Sequence, residues 1–475
     1  MTAADFTALL PLEIVAFTAI VVLIAIAVRR SHVATMLLTI AGLAAAFASL
    51  WFAPTRGVTL LLVIDGYALF YLGLVLAASI AFTLLAYDYF ARRYGAREEL
   101  YVLMLIATLG ACVLISSSHL LTLFLGLELL SVSLYGMIAY LRTEPLSVEA
   151  GLKYLVLAAV ASAFLLFGIA LLYAALGTME LPRLAAILSS GSDFDRLLAL
   201  PGIALLITGL GFKLAVVPFH LWTPDVYEGA PAPVTAYIAT VSKGAVFALL
   251  LRYFHDSKVL VIPSVFLVFS VIALASMLAG NLLALLQRNI KRMLAYSSIA
   301  HLGYILVAFE AGGNLGAEAV TFYLAAYFVT TLGAFGVVSV LSGPDRETVM
   351  IEEYRGLFWR RPLVAAIFTA MLLSLAGIPL TAGFIAKFYV VAAGASAAMW
   401  ALVIVLVVTS GIGLYYYLRV ILAMYARPEE VPAAEPRLHP AARLLLAALS
   451  VLLVWIGILP GALLRWVHGA ITGLS

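Results

Sequence analysis

Cysteine is nearly missing from this sequence: Cys112 is the one such residue in 475, so no disulfide can form within the chain. Cys and His nowhere gather at metal-ligand spacing, so no zinc or iron–sulfur motif can be read. Charge is scarce, at 11% Asp, Glu, Lys and Arg, and a net charge of +3 is too small to suggest a nucleic-acid partner. Polar stretches long enough for a soluble domain are also absent, the longest loops running to about 20 residues. The start of the chain, MTAADFTALLPLEIV, has no basic n-region and no clear cleavage site, and reads as leading into a retained first helix. Lysine is the rarest charge: six of the 27 basic side chains, the other 21 being arginine.

What remains is apolar. A hydrophobic fraction of 65% and a mean hydropathy of +1.15 predict an all-α polytopic membrane protein. A spanning helix needs about 20 mostly apolar residues. On that rule fourteen segments qualify, roughly 8–28, 33–53, 67–88, 100–117, 119–141, 149–176, 201–223, 231–253, 259–281, 290–311, 316–341, 362–392, 398–425 and 441–465. Residues 56–65 are rich in β-formers and predict a surface strand. Residues 179–199 predict a short amphipathic helix at the membrane interface.

Loop charges orient the bundle. With both termini outside, fifteen basic residues fall inward: Arg29, Arg30, Arg92, Arg93, Arg97, Arg142, Arg288, Lys291, Arg292, Arg346, Arg355, Arg360, Arg361, Arg427 and Arg437. About six fall outward, namely Arg56, Arg183, Arg196, Arg252, Lys258 and Arg465. The positive-inside bias therefore predicts both termini on the periplasmic side.

Three of the six lysines, Lys213, Lys243 and Lys387, sit deep inside apolar segments. Lys213 is roughly 16–18 Å from either end of its segment at 1.5 Å per residue, beyond the reach of snorkelling. Such a cation is costly unless paired or hydrated, and marks a functional site; a buried structural ion pair is the competing reading. Arginine holds its proton at any physiological pH, whereas a buried lysine can release it, so this division of cations suits proton movement.

Pro218 follows Lys213 by five residues and predicts a broken helix one residue past the lysine, with His220 just beyond. A broken helix beside a titratable group resembles the ion site of a transporter; a simple proline kink is the alternative. Gly377, Pro379 and Gly383 predict a second break ahead of Lys387. Glu128 stands out as an acid well inside an apolar helix and is the natural counter-ion for Lys213. His301 lies mid-span and is a candidate relay, or a hydrogen-bonded core histidine. Lys153, four residues from Glu149, predicts a local ion pair that could also feed protons inward.

The stretches GLELLSVSLYGMIAYL, EAGLKYLVLAAVASAFLLFG, FKLAVVPFHLWTPDVYEGAPAPVTAYIATVSKGAVF, NIKRMLAYSSIAHLGYILVA and LAGIPLTAGFIAKFYVV resemble the antiporter-like membrane subunits of respiratory complex I, the proton-pumping NADH:quinone oxidoreductase. The resemblance covers roughly residues 65–425 and is strongest to the N type of that family. Lys387 stands where the neighbouring M type usually has glutamate, and the chain stops soon after its fourteenth segment, without the lateral helix of the L type.

The resemblance implies two inverted five-helix repeats, 100–254 and 255–425, flanked by a three-helix segment, 1–99, and a loop with a last helix, 426–475. It implies that Glu128, Lys213, Lys243 and Lys387 carry protons, and that NADH, FMN, iron–sulfur clusters and quinone are bound by partner subunits, with no cofactor in this chain. It implies a bacterial inner-membrane complex in which the chain meets an M-type neighbour, small membrane subunits and lipid. A large subunit of an Mrp-type cation/proton antiporter, and a membrane scaffold without transport, are the alternative readings.

Overall fold

The computed structural model describes residues 2–93, 97–189, 195–255, 260, 262–427 and 439–474. Lys258 and Arg437 of the charge tally lie outside the described residues, as do 190–194 of the expected interfacial helix. The helices, in order, are α1 (Ala3–Val28), α2 (His32–Ser49), α3 (Gly66–Ala91), α4 (Glu99–Ile115), α5 (Leu120–Ile138), α6 (Pro145–Leu176), α7 (Leu181–Ser189), α8 (Arg196–Leu214), α9 (Trp222–Gly229), α10 (Ala232–Tyr237), α11 (Lys243–His255), α12 (Pro263–Leu285), α13 (Ile290–Ala311), α14 (Gly313–Leu341), α15 (Leu357–Arg360), α16 (Pro362–Ala376), α17 (Ala382–Ser396), α18 (Trp400–Tyr425), α19 (Pro440–Ile458) and α20 (Gly461–Thr472). A π-helical turn, Ile238–Ser242, joins α10 to α11 in one continuous rod.

Every one of the fourteen expected segments overlaps helix. Twelve helices are long and apolar enough to cross a membrane, and α4, α16 and α17 are shorter apolar helices among the described residues. The most apolar window of the α10–α11 rod is 100% buried and those of α13 and α14 are 94% buried, against 28% for α2 and 33% for α19. The rod, α13 and α14 are therefore the centre, and α2 and α19 present apolar side chains to lipid.

Three expectations change in detail. Residues 56–65 form a small antiparallel hairpin, β1 (Arg56–Gly57) with β2 (Val63–Ile64), and not a lone strand. The last segment is not one helix. α19 stops at Ile458, ahead of Pro460, and the polar-faced α20 packs back on α3 and α14. The interfacial helix is confined to α7, because Arg196 already begins α8 behind an Asp195 cap.

Some local geometry recurs at a fixed spacing. His119 caps α5 and bridges Glu180, and Asn289 caps α13 and bridges Met350. From 119 to 289 and from 180 to 350 the offset is the same 170. Gly110 lets α4 approach α5, where an added Cβ would lie 2.5 Å from the Leu130 nitrogen. Gly280 lets α12 approach α13 in the same way, 2.5 Å from the Ala300 nitrogen.

Candidate functional site

The first break falls where Pro218 requires it. α8 ends at Leu214, Ala215 takes a left-handed φ of 63°, and the Val217–Pro218 bond is cis. The backbone groups freed there are satisfied inside the protein. The Trp222 indole donates to the Phe212 carbonyl at 3.0 Å, and the Val217 N–H donates to Ser276 Oγ of α12 at 2.9 Å. Lys213 is held in the last turn before the break.

The second break separates α16 from α17. Gly377 has φ 85°, and a Cβ on it would lie 2.8 Å from Lys387 Cδ, so glycine is needed both for the turn and for the lysine stem. A side chain on Gly383 would collide with the Ser374 carbonyl. Lys243 arises differently, at the junction of the π turn with α11. A π turn widens the helix by one residue and re-aims the side chains beyond it.

The three buried lysines share one kind of surrounding. Lys213 Nζ donates to Ser131 Oγ at 2.7 Å and lies 5.7 Å from the Tyr154 ring centre. Lys243 Nζ donates to Ser298 Oγ at 2.7 Å and lies 5.3 Å from the Tyr227 ring. Lys387 Nζ donates to Ser410 Oγ at 2.6 Å and to the Ala376 carbonyl at 2.9 Å, with the Tyr304 ring 5.2 Å away. Among the described residues none of the three forms an ion pair. Each is a cation held by a neutral hydroxyl and a π face. The competing reading of structural ion pairs does not describe them.

Around His301 the polar groups join up. Tyr327 donates to Ser298 Oγ at 2.8 Å, beside Lys243. The His301 ring lies 5.7 Å from Tyr327 and 5.5 Å from Tyr304. Its nitrogens meet the hydroxyls of Tyr323 at 2.7 Å and Tyr417 at 3.3 Å. Tyr304, beside Lys387, accepts from the Asn281 amide at 2.8 Å. Ring contacts of His301 with Tyr327 and Tyr304, and not hydrogen bonds, thus stand between the Lys243 and Lys387 surroundings.

Other expected residues stand apart. Glu128 is half-buried on α5 and accepts from Ser162 of α6, in line with the outward-facing Leu121, Leu125 and Val132. It makes no direct pair with Lys213. His220 is buried beyond the first break, and its Nδ1 has no partner. Lys153 pairs with Glu149 at 2.7 Å, as its spacing predicts, and with Asp225 of α9 at 2.8 Å. Arg292 pairs with Asp225 at 2.8 Å and Glu228 at 2.7 Å.

Two features escape the sequence reading. Lys291, counted with the loop charges, is fully buried: its Nζ donates to Glu347 at 2.5 Å and to the Ala230 carbonyl at 2.6 Å. Glu347 also accepts from Tyr89 at 2.5 Å and from the Ala232 N–H at 2.8 Å. Burial pushes the Glu347 carboxyl up, but Lys291 and these hydrogen bonds outweigh it and hold the group below its usual range. The pair is 56 residues apart, and no local pattern signals it. The second is Glu310, in the last turn of α13 and 5% exposed. Its place beside the Gly312–Gly313 turn reads from sequence as a solvated helix end.

Residues 117–413 match the family described as NADH:quinone oxidoreductase/Mrp antiporter, TM. The chain belongs to this family. It is 50% identical to NADH-quinone oxidoreductase subunit N of Ectopseudomonas mendocina (strain ymp), over 99% of this chain and 97% of that one. A chain of respiratory complex I from Thermus thermophilus with bound aureothin superposes with a TM-score of 0.81 at 37% identity, covering 96% of this chain and 98% of that one. A chain of the Mrp complex from Dietzia sp. DQ12-45-1b superposes with a TM-score of 0.87 at 22% identity, over 100% of this chain and 98% of that one. That likeness concerns the fold alone. The backbone does not separate the two branches of the family; the sequence identities do.

Proposed function

We propose that this chain is the N-type membrane subunit of a proton-pumping NADH:quinone oxidoreductase and moves protons along Lys213, Lys243, His301 and Lys387. The observation that carries this reading is the shared lysine surrounding: a buried ammonium held by a serine hydroxyl, with no carboxylate locking it in place. A cation fixed by an ion pair serves structure. One held by neutral groups can hand its proton on. From Lys243 the acceptor in reach is Ser298, which also takes the Tyr327 hydroxyl, and His301 follows in ring contact with Tyr327 and with Tyr304 at the Lys387 end. Glu128 sits on the outward-facing side of α5 without touching Lys213, and in this reading its charge tunes the first lysine without binding it. Lys153, Asp225 and Arg292 form a half-exposed charged cluster at one end of the first broken segment, suited to proton uptake. His220 lies past that break and has no connection to the lysines among the described residues, which argues for a packing role.

NADH, FMN, iron–sulfur clusters and quinone belong in this reading to partner subunits, and the chain meets an M-type neighbour and small membrane subunits. The bundle divides into two inverted five-helix units, 100–254 and 255–425. Both termini face the periplasm across the bacterial inner membrane; cysteines at Arg56 and Arg288 should then label from opposite faces, and same-side labelling defeats the topology.

The deciding experiment is substitution at Lys213 in the assembled complex, reconstituted in vesicles. Lys213→Ala should lower coupled turnover and pumping by about a hundredfold, the lower range for a lost acid–base group. Lys213→Arg should fail as well, since it keeps charge but does not release the proton. Wild-type pumping by the arginine variant defeats the relay role.

A further inference from the structure

α13 carries polar side chains from end to end. Its 22 residues span about 33 Å, close to the thickness of a bilayer core. Lys291 lies in the first turn, Ser297, Ser298, His301 and Tyr304 in the middle, and Glu310 in the last turn.

Nothing in the fold accounts for Glu310. One carboxyl oxygen accepts from Ser270 Oγ of α12 at 2.5 Å, and the other is buried with no partner. It forms no ion pair among the described residues. The carbonyl end of a helix disfavours an acid, and an unsatisfied buried carboxyl costs stability. Its surroundings are apolar: the rings of Phe254, Phe269 and Phe309 meet edge to face at 5.2–5.6 Å. Glu310 nonetheless lines a cavity of about 280 Å³, whose wall includes Phe254, Phe309, Gly312 and Gly313. The two glycines turn at φ 66° and 59°, and no atom would meet a Cβ on Gly313 within 4 Å, so the turn leaves that side of the cavity open.

We infer that Glu310 is a proton-exchange carboxyl, passing protons between the array and the aqueous phase through this cavity. The O–H bond forms on the oxygen that Ser270 does not occupy, and breaks when the proton moves to water; no electrons are transferred. This rests on the proton-relay reading above, in which the cavity lies at the periplasmic end.

The test uses the assembled oxidoreductase in vesicles, with a hydrophobic carbodiimide as probe and peptide mass spectrometry as readout. Carbodiimides add to protonated carboxyls, so Glu310 should be modified, and faster as pH falls. Glu310→Gln should lower the protons moved per electron, and Glu310→Asp should restore most of that loss. Lys213→Ala is the control for the array. If it abolishes pumping while Glu310→Gln pumps like wild type, the Glu310 inference is overturned and the relay stands. If Lys213→Ala itself pumps normally, the relay reading fails. Should Glu310→Gln not assemble, labelling of the wild-type complex decides: modified Glu310 supports the inference, and unmodified Glu310 overturns it.

Discussion

α5 and α13 are built on the same frame and do different things with it. Each begins behind a capping side chain, His119 or Asn289, and each is packed tightly against the helix before it through a glycine, Gly110 or Gly280. At the shared offset of 170, Leu121 corresponds to Lys291, Glu128 to Ser298 and Ser131 to His301. On α5 the three are a lipid-facing leucine, a half-buried acid and the serine that holds Lys213. On α13 they are a buried cation, the serine that holds Lys243, and the imidazole between two tyrosine hydroxyls. The difference comes from position. α13 is enclosed on nearly every side, its most apolar window being 94% buried against 56% for α5, so it can carry polar groups along its whole length. α5 has a lipid-side face, and its acid sits at that margin. One backbone frame thus carries a half-buried acid at its margin in one place and an enclosed row of polar groups in the other.

The buried cation at 291 gives the largest expected effect. Glu347→Gln leaves Lys291 without its carboxylate and should destabilise the subunit by about 3 kcal/mol, measured as loss of thermal stability in detergent. The lowered Glu347 carboxyl sets the sign of the pH dependence. Its contribution is complete above the ordinary carboxylate value and is lost as pH falls through the lowered one. Wild type should therefore lose stability below about pH 4, and the glutamine variant should lack that part of the loss. Parallel acid profiles would remove Lys291 from the contrast between the two helices.

Next comes the imidazole at 301. His301→Leu should slow coupled turnover about a hundredfold, some 2.7 kcal/mol of barrier, by cutting the route from Lys243 to Lys387. The matching change on α5, Ser131→Ala, removes the acceptor of Lys213 and the hydroxyl's bond to the Leu127 carbonyl, and should cost less, about 1.5–2 kcal/mol. Equal losses in vesicle pumping assays would erase the distinction between relay and holder.

The smallest effect concerns Glu128. Glu128 and Lys213 do not touch, so a double-mutant cycle of Glu128→Gln with Lys213→Met should give a coupling of about 0.5–1 kcal/mol, below that of a contacting pair. A coupling of several kcal/mol would show that the two meet directly during turnover. Strict additivity would make Glu128 a structural acid.

Much of this was legible from local chemistry. Lys213 and Lys387 announce themselves by charge inside apolar runs, and both helix breaks arise from Pro218 and from the Gly377–Pro379 pair, which act on their own backbone. The carbonyl of Phe212 and the N–H of Val217 find partners as a broken membrane helix must. Illegible were the features made by distant chain meeting. Serine as the partner of every deep lysine, Lys291 against Glu347, and Ser162 in place of Lys213 as the contact of Glu128 depend on which helices adjoin. Glu310 was hidden because a helix-end acid beside glycines reads as solvated. The division of the last segment at Pro460 was readable in principle, but apolar residues on both sides masked it.

The π turn at Ile238–Ser242 acts as a phase shift. One additional residue in a helical turn rotates everything after it by about 100° relative to an uninterrupted α-helix. Lys243 is the first residue after the shift, so the compass bearing of its side chain is set by one extra residue absorbed within a five-residue π turn. A single-residue deletion within 238–242 that restored regular pitch would remove the shift and the extra residue together and leave the lysine facing Ser298, whereas regular pitch with all five residues kept would turn it away. In this rod the address of a charge is written in the count of residues before it.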